Sequence, residues 1–197
     1  MLRLANQLTI ARMVMIPLLI TLLLSNHHGW ALVVFVLAGL TDALDGVIAR
    51  RYQQSSNLGA ILDPVADKLL MTACFVILAL PDHPRTVPDF EITNHIPLYL
   101  TIVTISRDLF IVMIALVIHL TSGLTRFAPT ALGKLTTATQ VLTIGVVLLF
   151  NYRKHEAPVI IGAVVWLTLA MTLASGLHYI YHSTRMAGAD APAGDDR

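Results

Sequence analysis

Six stretches of mostly apolar residues occupy most of this chain, at about 8–24, 30–50, 59–80, 96–120, 133–150 and 158–181. Each is near the roughly 20 residues that a helix needs to cross a bilayer. Soluble domains average about 45–50% apolar and about 25% charged residues. Here the values are 56% and 13%, with a mean hydropathy of +0.73. The expected fold class is an all-α integral membrane protein with six transmembrane helices. A net charge of +1 supplies no basic field and argues against nucleic acid as a partner. Cys74, the single cysteine, excludes an intrachain disulfide framework and reads as a small core residue.

Lysine and arginine set the orientation. With the N-terminus in the cytosol, Arg3, Arg12, Arg50, Arg51, Lys68, Arg126, Lys134, Arg185 and Arg197 fall on or near the inner side. Arg85, Arg153 and Lys154 fall outside, and Arg107 lies within a span. Six spans with this bias imply an N-in, C-in topology. The start, MLRLANQLTIARMVMIPLLITLLL, imitates a signal peptide, but further membrane helices follow it and no cleavage is expected. One membrane domain is expected over residues 1–185, with a disordered tail at 186–197 that has little to bury. No internal repeat of the kind common in transporters is evident.

The second and third stretches raise the chemical question. Their apolar parts, Trp30–Leu40 and Leu69–Leu80, are too short to cross alone. Each reaches spanning length only with the charged half beside it, which places Asp42, Asp45, Asp63 and Asp67 at the cytosolic membrane face. At about 100° per residue, Asp42 and Asp45 lie about 60° apart on a helix, and Asp63 and Asp67 about 40° apart. Each pair shares a face. Gly46 and Ala49 follow on the Asp42 face and Gly59 lies below Asp63, so a bulky ligand or a partner helix can come close. A charged aspartate at a helix centre costs about 2.5–3.5 kcal/mol on insertion scales. Divalent cations held by oxygen ligands would offset that cost, and a pair of them is the usual device for displacement at phosphorus. Arg50, Arg51 and Lys68 could hold phosphate oxygens or neutralise the carboxylates.

The spacing D-x2-D-G-x2-A-R-x8-G-x3-D-x3-D resembles the signature of the CDP-alcohol phosphatidyltransferase family. It is met in full by Asp42, Asp45, Gly46, Ala49, Arg50, Gly59, Asp63 and Asp67. At about 5% per residue type, eight fixed positions arise by chance about once in 10^10 windows. The resemblance implies transfer of a phosphatidyl group from CDP-diacylglycerol to an alcohol, with release of CMP. It implies two metal ions, magnesium or manganese, on the four aspartates, with Asp67 also the general base. Gly46, Ala49 and Gly59 would line the nucleotide site, and Arg50 would contact the pyrophosphate. The amino-terminal NQLTIAR resembles a further family element, which puts Asn6, Thr9 and Arg12 near the nucleotide. Read without the family, the same residues form a helix start with an interfacial arginine. A homodimer in a bacterial inner membrane, with the active site facing the cytosol, is also expected on resemblance and on the compact start.

The acceptor is read from two further elements. ISRD (residues 105–108) and GKLTTATQ (residues 133–140) resemble the branch that uses phosphatidylglycerol. In the branch that uses glycerol-3-phosphate, a glutamate typically stands where this chain has Asp108, and a second lysine where it has Thr136. Arg107 and Lys134 are the candidate acceptor-binding residues, although either could serve only as a local ion-pair partner or an inside flank. His27, His28 and His83 read as exposed and lack metal-ligand spacing. Trp30 and Tyr181 read as interfacial anchors. Pro64 either kinks the third helix or lies in its first turn. An ion or proton transporter and a metal-dependent lipid phosphatase are the rival classes. Neither requires release of CMP that depends on an acceptor.

Overall fold

In the computed structural model the backbone is described over residues 4–52, 57–80, 92–122 and 131–189, and side chains within these over 11–41, 68–80, 92–114 and 131–180. The described residues form six helices: α1 (Leu4–Leu24), α2 (His28–Tyr52), α3 (Asn57–Leu78), α4 (Leu98–Ser122), α5 (Ala131–Tyr152) and α6 (Pro158–Ala189). Each apolar stretch has become one helix. Because α3 begins at Asn57, Pro64 lies inside it and not in its first turn.

Among the described residues, two helical stretches, Ala131–Tyr152 and Pro158–Ile180, are long and apolar enough to cross a membrane. Shorter apolar stretches among the described residues are Ala11–Leu24, His28–Thr41 and Lys68–Leu78, on α1, α2 and α3. Helices α2 and α3 run through the charged halves, α2 as far as Tyr52 and α3 from Asn57. The outer surface matches a lipid environment. Val14, Leu18, Val36, Leu37, Leu109, Val112, Met113, Trp166 and Leu167 are all exposed. So many large apolar side chains exposed on several helices are unusual for a protein with water on every side.

Helix neighbours close a circuit. α1 packs on both α2 and α3, α2 on α5, α5 on α6, α6 on α4, and α4 on α3. A further α3–α5 contact crosses the middle. The core along it contains Leu19 and Leu23, Phe35 and Ala38, Cys74, Phe75 and Leu78, Leu100, Ile144, Val147 and Leu148, and Val165. Cys74 is fully buried there, as expected of a small core residue.

Lipid tails are as apolar as leucine, so helix association in a membrane leans on close packing and interhelical hydrogen bonds. The α5–α6 seam shows this. Thr143 and Thr168 share a hydroxyl–hydroxyl bond of 2.8 Å, and Thr168 also donates to the Thr139 carbonyl at 3.1 Å. At the other side of the bundle, Thr101 of α4 donates to the Phe75 carbonyl of α3 at 3.2 Å.

The end of the bundle remote from the aspartates is closed by polar groups. Asn94 donates its backbone N–H to Asn151 Oδ1 at 2.7 Å and its side-chain amide to the His155 carbonyl at 2.9 Å. Asn151 returns a bond to the Asn94 carbonyl at 3.0 Å, and Ala157 N–H donates to Asn94 Oδ1 at 3.2 Å. The α3–α4 and α5–α6 connections are thereby tied together. His28, expected exposed, is 7% exposed as the first residue of α2, while His27 is exposed. His83 and Tyr181 lie outside the described side chains.

Candidate active site

Both halves of the eight-residue signature lie on helical backbone. Asp42, Asp45, Gly46, Ala49 and Arg50 belong to α2, and Gly59, Asp63 and Asp67 to α3. Their side chains lie outside the described residues, as do those of Asn6 and Thr9 on α1. Helical backbone through each pair does fix the i, i+3 and i, i+4 spacing that gives a pair one face. Helix α1, which carries the amino-terminal element, packs on both signature helices, α2 and α3.

Arg12 departs from its simplest reading. It is only 1% exposed, among the most deeply buried large side chains of the bundle. An arginine that merely flanked a span would extend its charge to the interface. This one is held inside, on the helix that packs on both aspartate helices.

A chain of charges begins immediately after the last signature aspartate. Lys68 Nζ of α3 donates to Asp108 Oδ2 of α4 at 2.6 Å. Arg107 Nη1 donates to Asp108 Oδ1 at 2.8 Å, and Arg107 Nη2 donates to Ser175 Oγ of α6. One carboxylate thus accepts from two cations, and the chain ties three helices together. The side chains are 37% (Lys68), 16% (Asp108) and 10% (Arg107) exposed. Arg107 Nε has no hydrogen-bond partner among the described residues. Two cations and one carboxylate leave the group with a surplus of one positive charge.

The second acceptor element divides by exposure. Lys134, in the first turn of α5, is exposed. Thr136 is fully buried and donates to the Leu132 carbonyl at 2.8 Å and to the Met171 carbonyl of α6 at 3.0 Å. The position where a second lysine would be expected for a glycerol-3-phosphate acceptor therefore holds a helix-packing hydroxyl. No hydrogen bond or ion pair joins Arg107 to Lys134 among the described residues.

Ser175 and the Lys68–Asp108 pair were not identified from the sequence. A lone acid within an apolar span does demand a cation, and Arg107 stands next to it. The second cation comes from another helix, which sequence order alone does not reveal.

Fold and site together define a membrane-type helical bundle that carries two carboxylate pairs on two helices packed on a common third. The chain belongs to the CDP-alcohol phosphatidyltransferase family, whose model matches residues 2–174. The human protein named cardiolipin synthase (CMP-forming) is 32% identical over 199 residues, covering 91% of this chain and 61% of that protein. This chain thus spans about three fifths of the human relative's length. A Bacillus subtilis CDP-diacylglycerol–glycerol-3-phosphate 3-phosphatidyltransferase is 29% identical, with 91% of this chain and 94% of that protein covered. A probable phosphatidylglycerophosphate synthase of Mycobacterium tuberculosis is 31% identical, with coverages of 94% and 83%.

Proposed function

We propose that this protein transfers a phosphatidyl group from CDP-diacylglycerol to the hydroxyl of phosphatidylglycerol, releasing CMP and forming cardiolipin. The observation that carries the transferase reading is the complete signature on two helices that both pack on α1. Four aspartates form a set of hard oxygen donors suited to magnesium or manganese. Asp42, Asp45, Asp63 and Asp67 would hold two such ions. Bound there, the metal would polarise the phosphoryl oxygens and stabilise the departing CMP phosphate.

The chain's own residues do the rest. Asn6, Thr9, Arg12, Gly46, Ala49 and Gly59 hold the cytidine nucleotide, and Arg50 grips the pyrophosphate. Asp67 takes the proton of the acceptor hydroxyl as its oxygen attacks the phosphorus bearing diacylglycerol. The new P–O bond forms as the bond to CMP breaks, and CMP leaves with that electron pair.

Arg107 and Lys134 serve the acceptor. The single surplus charge on the Lys68–Asp108–Arg107 group suits the one negative charge of a phosphodiester better than the two of glycerol-3-phosphate. The buried Thr136 favours the same acceptor. Six spans, N-in and C-in, put this chemistry at the cytosolic face of a bacterial inner membrane, in a homodimer.

The test uses purified protein in detergent with CDP-diacylglycerol and manganese, and offers phosphatidylglycerol and glycerol-3-phosphate separately. Cardiolipin and CMP are expected from the first alone. Phosphatidylglycerophosphate from the second alone would keep the transferase and overturn the acceptor. CMP release without any acceptor would point to a hydrolase, and no release at all would revive the transporter reading. Replacing Lys134→Ala should raise the acceptor's KM more than the donor's. An equal effect on both would remove Lys134 from the acceptor site.

A further inference from the structure

A cavity of about 630 Å³ opens at the end of the bundle remote from the aspartates, where α1 and α5 stop and α2 starts. Asn26, His27, Trp30, Val33, Tyr152 and Lys154 are among the residues lining it. Asp42 lies 14 residues beyond His28 along α2, about 21 Å away at 1.5 Å per residue. The cavity is therefore separate from the proposed active site.

Both helix ends at this cavity are built alike. His27 N–H returns to the Leu22 carbonyl at 2.9 Å and Asn26 N–H to that of Leu23 at 3.1 Å. His155 N–H returns to Phe150 at 3.1 Å and Lys154 N–H to Asn151 at 3.1 Å. This double closure needs a left-handed residue at its turn, and Asn26 (φ 57°) and Lys154 (φ 49°) supply it. Asparagine is at home there, whereas a lysine is costly where glycine is the usual choice. Such an outlier is a pointer to a function of the side chain. The Lys154 side chain is exposed, lines the cavity and has no ion-pair partner among the described residues. Its backbone is held in place by the Asn94 bond to the next carbonyl, that of His155.

The surroundings select the ligand. Arg153 and Lys154 stand on the side that a positive-inside chain keeps poor in cations. Among the described residues no acidic side chain lines the cavity, and Glu156 is exposed nearby. Trp30 and Tyr152, 66% and 61% exposed, flank the opening with the amphipathic rings typical of the headgroup level. Leu32 and Val33 continue the wall along α2 towards the apolar zone. A free anion has no use for that apolar wall, but a lipid does. We infer that this cavity binds the phosphodiester headgroup of an anionic glycerophospholipid from the leaflet opposite the aspartates. This rests on the six-span reading.

Trp30 supplies the reporter, because Trp166 is the only other tryptophan and can be replaced by phenylalanine. The Trp166→Phe protein is placed in phosphatidylcholine vesicles containing equal small amounts of dibrominated phosphatidylglycerol or dibrominated phosphatidylcholine. Quenching of Trp30 should show about fivefold enrichment of the anionic lipid, the factor one lysine contributes at a membrane surface. Lys154→Gly, which suits the left-handed backbone, should abolish that preference and leave CMP release unchanged, and Lys154→Arg should restore it. Equal quenching by the two lipids, or a preference that survives Lys154→Gly, would overturn the headgroup site alone. Loss of the preference in excess inorganic phosphate would also overturn it, assigning the cavity to a free anion. Quenching by neither lipid would overturn both the site and the membrane placement of this end.

Discussion

Asp67→Asn is expected to lower CMP release by at least about 10^3-fold while leaving a folded bundle. Positioned proton transfer alone is worth about 10^2–10^4-fold, and the same carboxylate is proposed to hold metal. Asparagine keeps the size of the side chain and removes its negative charge. Among the described residues of α3, Leu70, Met71, Cys74, Phe75, Ile77 and Leu78 are buried in the core, and none of them is altered. The check is CMP release alongside a melting curve and donor binding, each measured across a range of manganese concentrations. Activity that stays low at saturating manganese fits loss of the base. Recovery towards wild-type turnover at high manganese would leave Asp67 as a metal ligand and assign the proton to another group.

The six helices were legible because polar connections interrupt six long apolar runs. Helix limits fall within a few residues of those runs, except that α6 continues to Ala189. The signature was legible because its chemistry depends on spacing along two helices, and spacing is what a sequence records. Neighbour relations were not. Spans that are apolar on most faces carry no period that says which face meets which helix. The burial of Arg12 and His28 follows from the circuit of helices; from sequence His28 reads as exposed, and Arg12 reads as interfacial only when the family resemblance is set aside. Thr136 was visible only as a missing lysine, and its bond to Met171 required knowing that α6 lies alongside.

The Lys68–Asp108–Arg107 group predicts an order of stabilities that a simple count of lost bonds would not give. Lys68→Met leaves Asp108 paired with Arg107, a neutral couple, and should cost little, since the lysine is 37% exposed and its pair is partly solvated. Asp108→Asn removes the one anion and leaves two cations facing each other, Arg107 being only 10% exposed. Stripping the partner from a buried pair costs about 3–5 kcal/mol, and partial exposure should bring this nearer 2–3 kcal/mol. The double variant Lys68→Met/Asp108→Asn removes the repulsion and should fall between the two single variants, with a coupling that a double-mutant cycle can read from thermal or denaturant unfolding. Turnover should follow a related order. Lys68 adjoins Asp67, so its tether to α4 sets the rotation of α3 and hence the direction of the Asp63–Asp67 face. Asp108→Glu retains the charge and should keep most of both stability and turnover. If Asp108→Asn melted like wild type, the carboxylate would not be the counter-ion of this group. If Lys68→Met proved the more damaging single change, the lysine's main partner would have to be sought among the signature aspartates, and the surplus charge assigned to the acceptor would disappear.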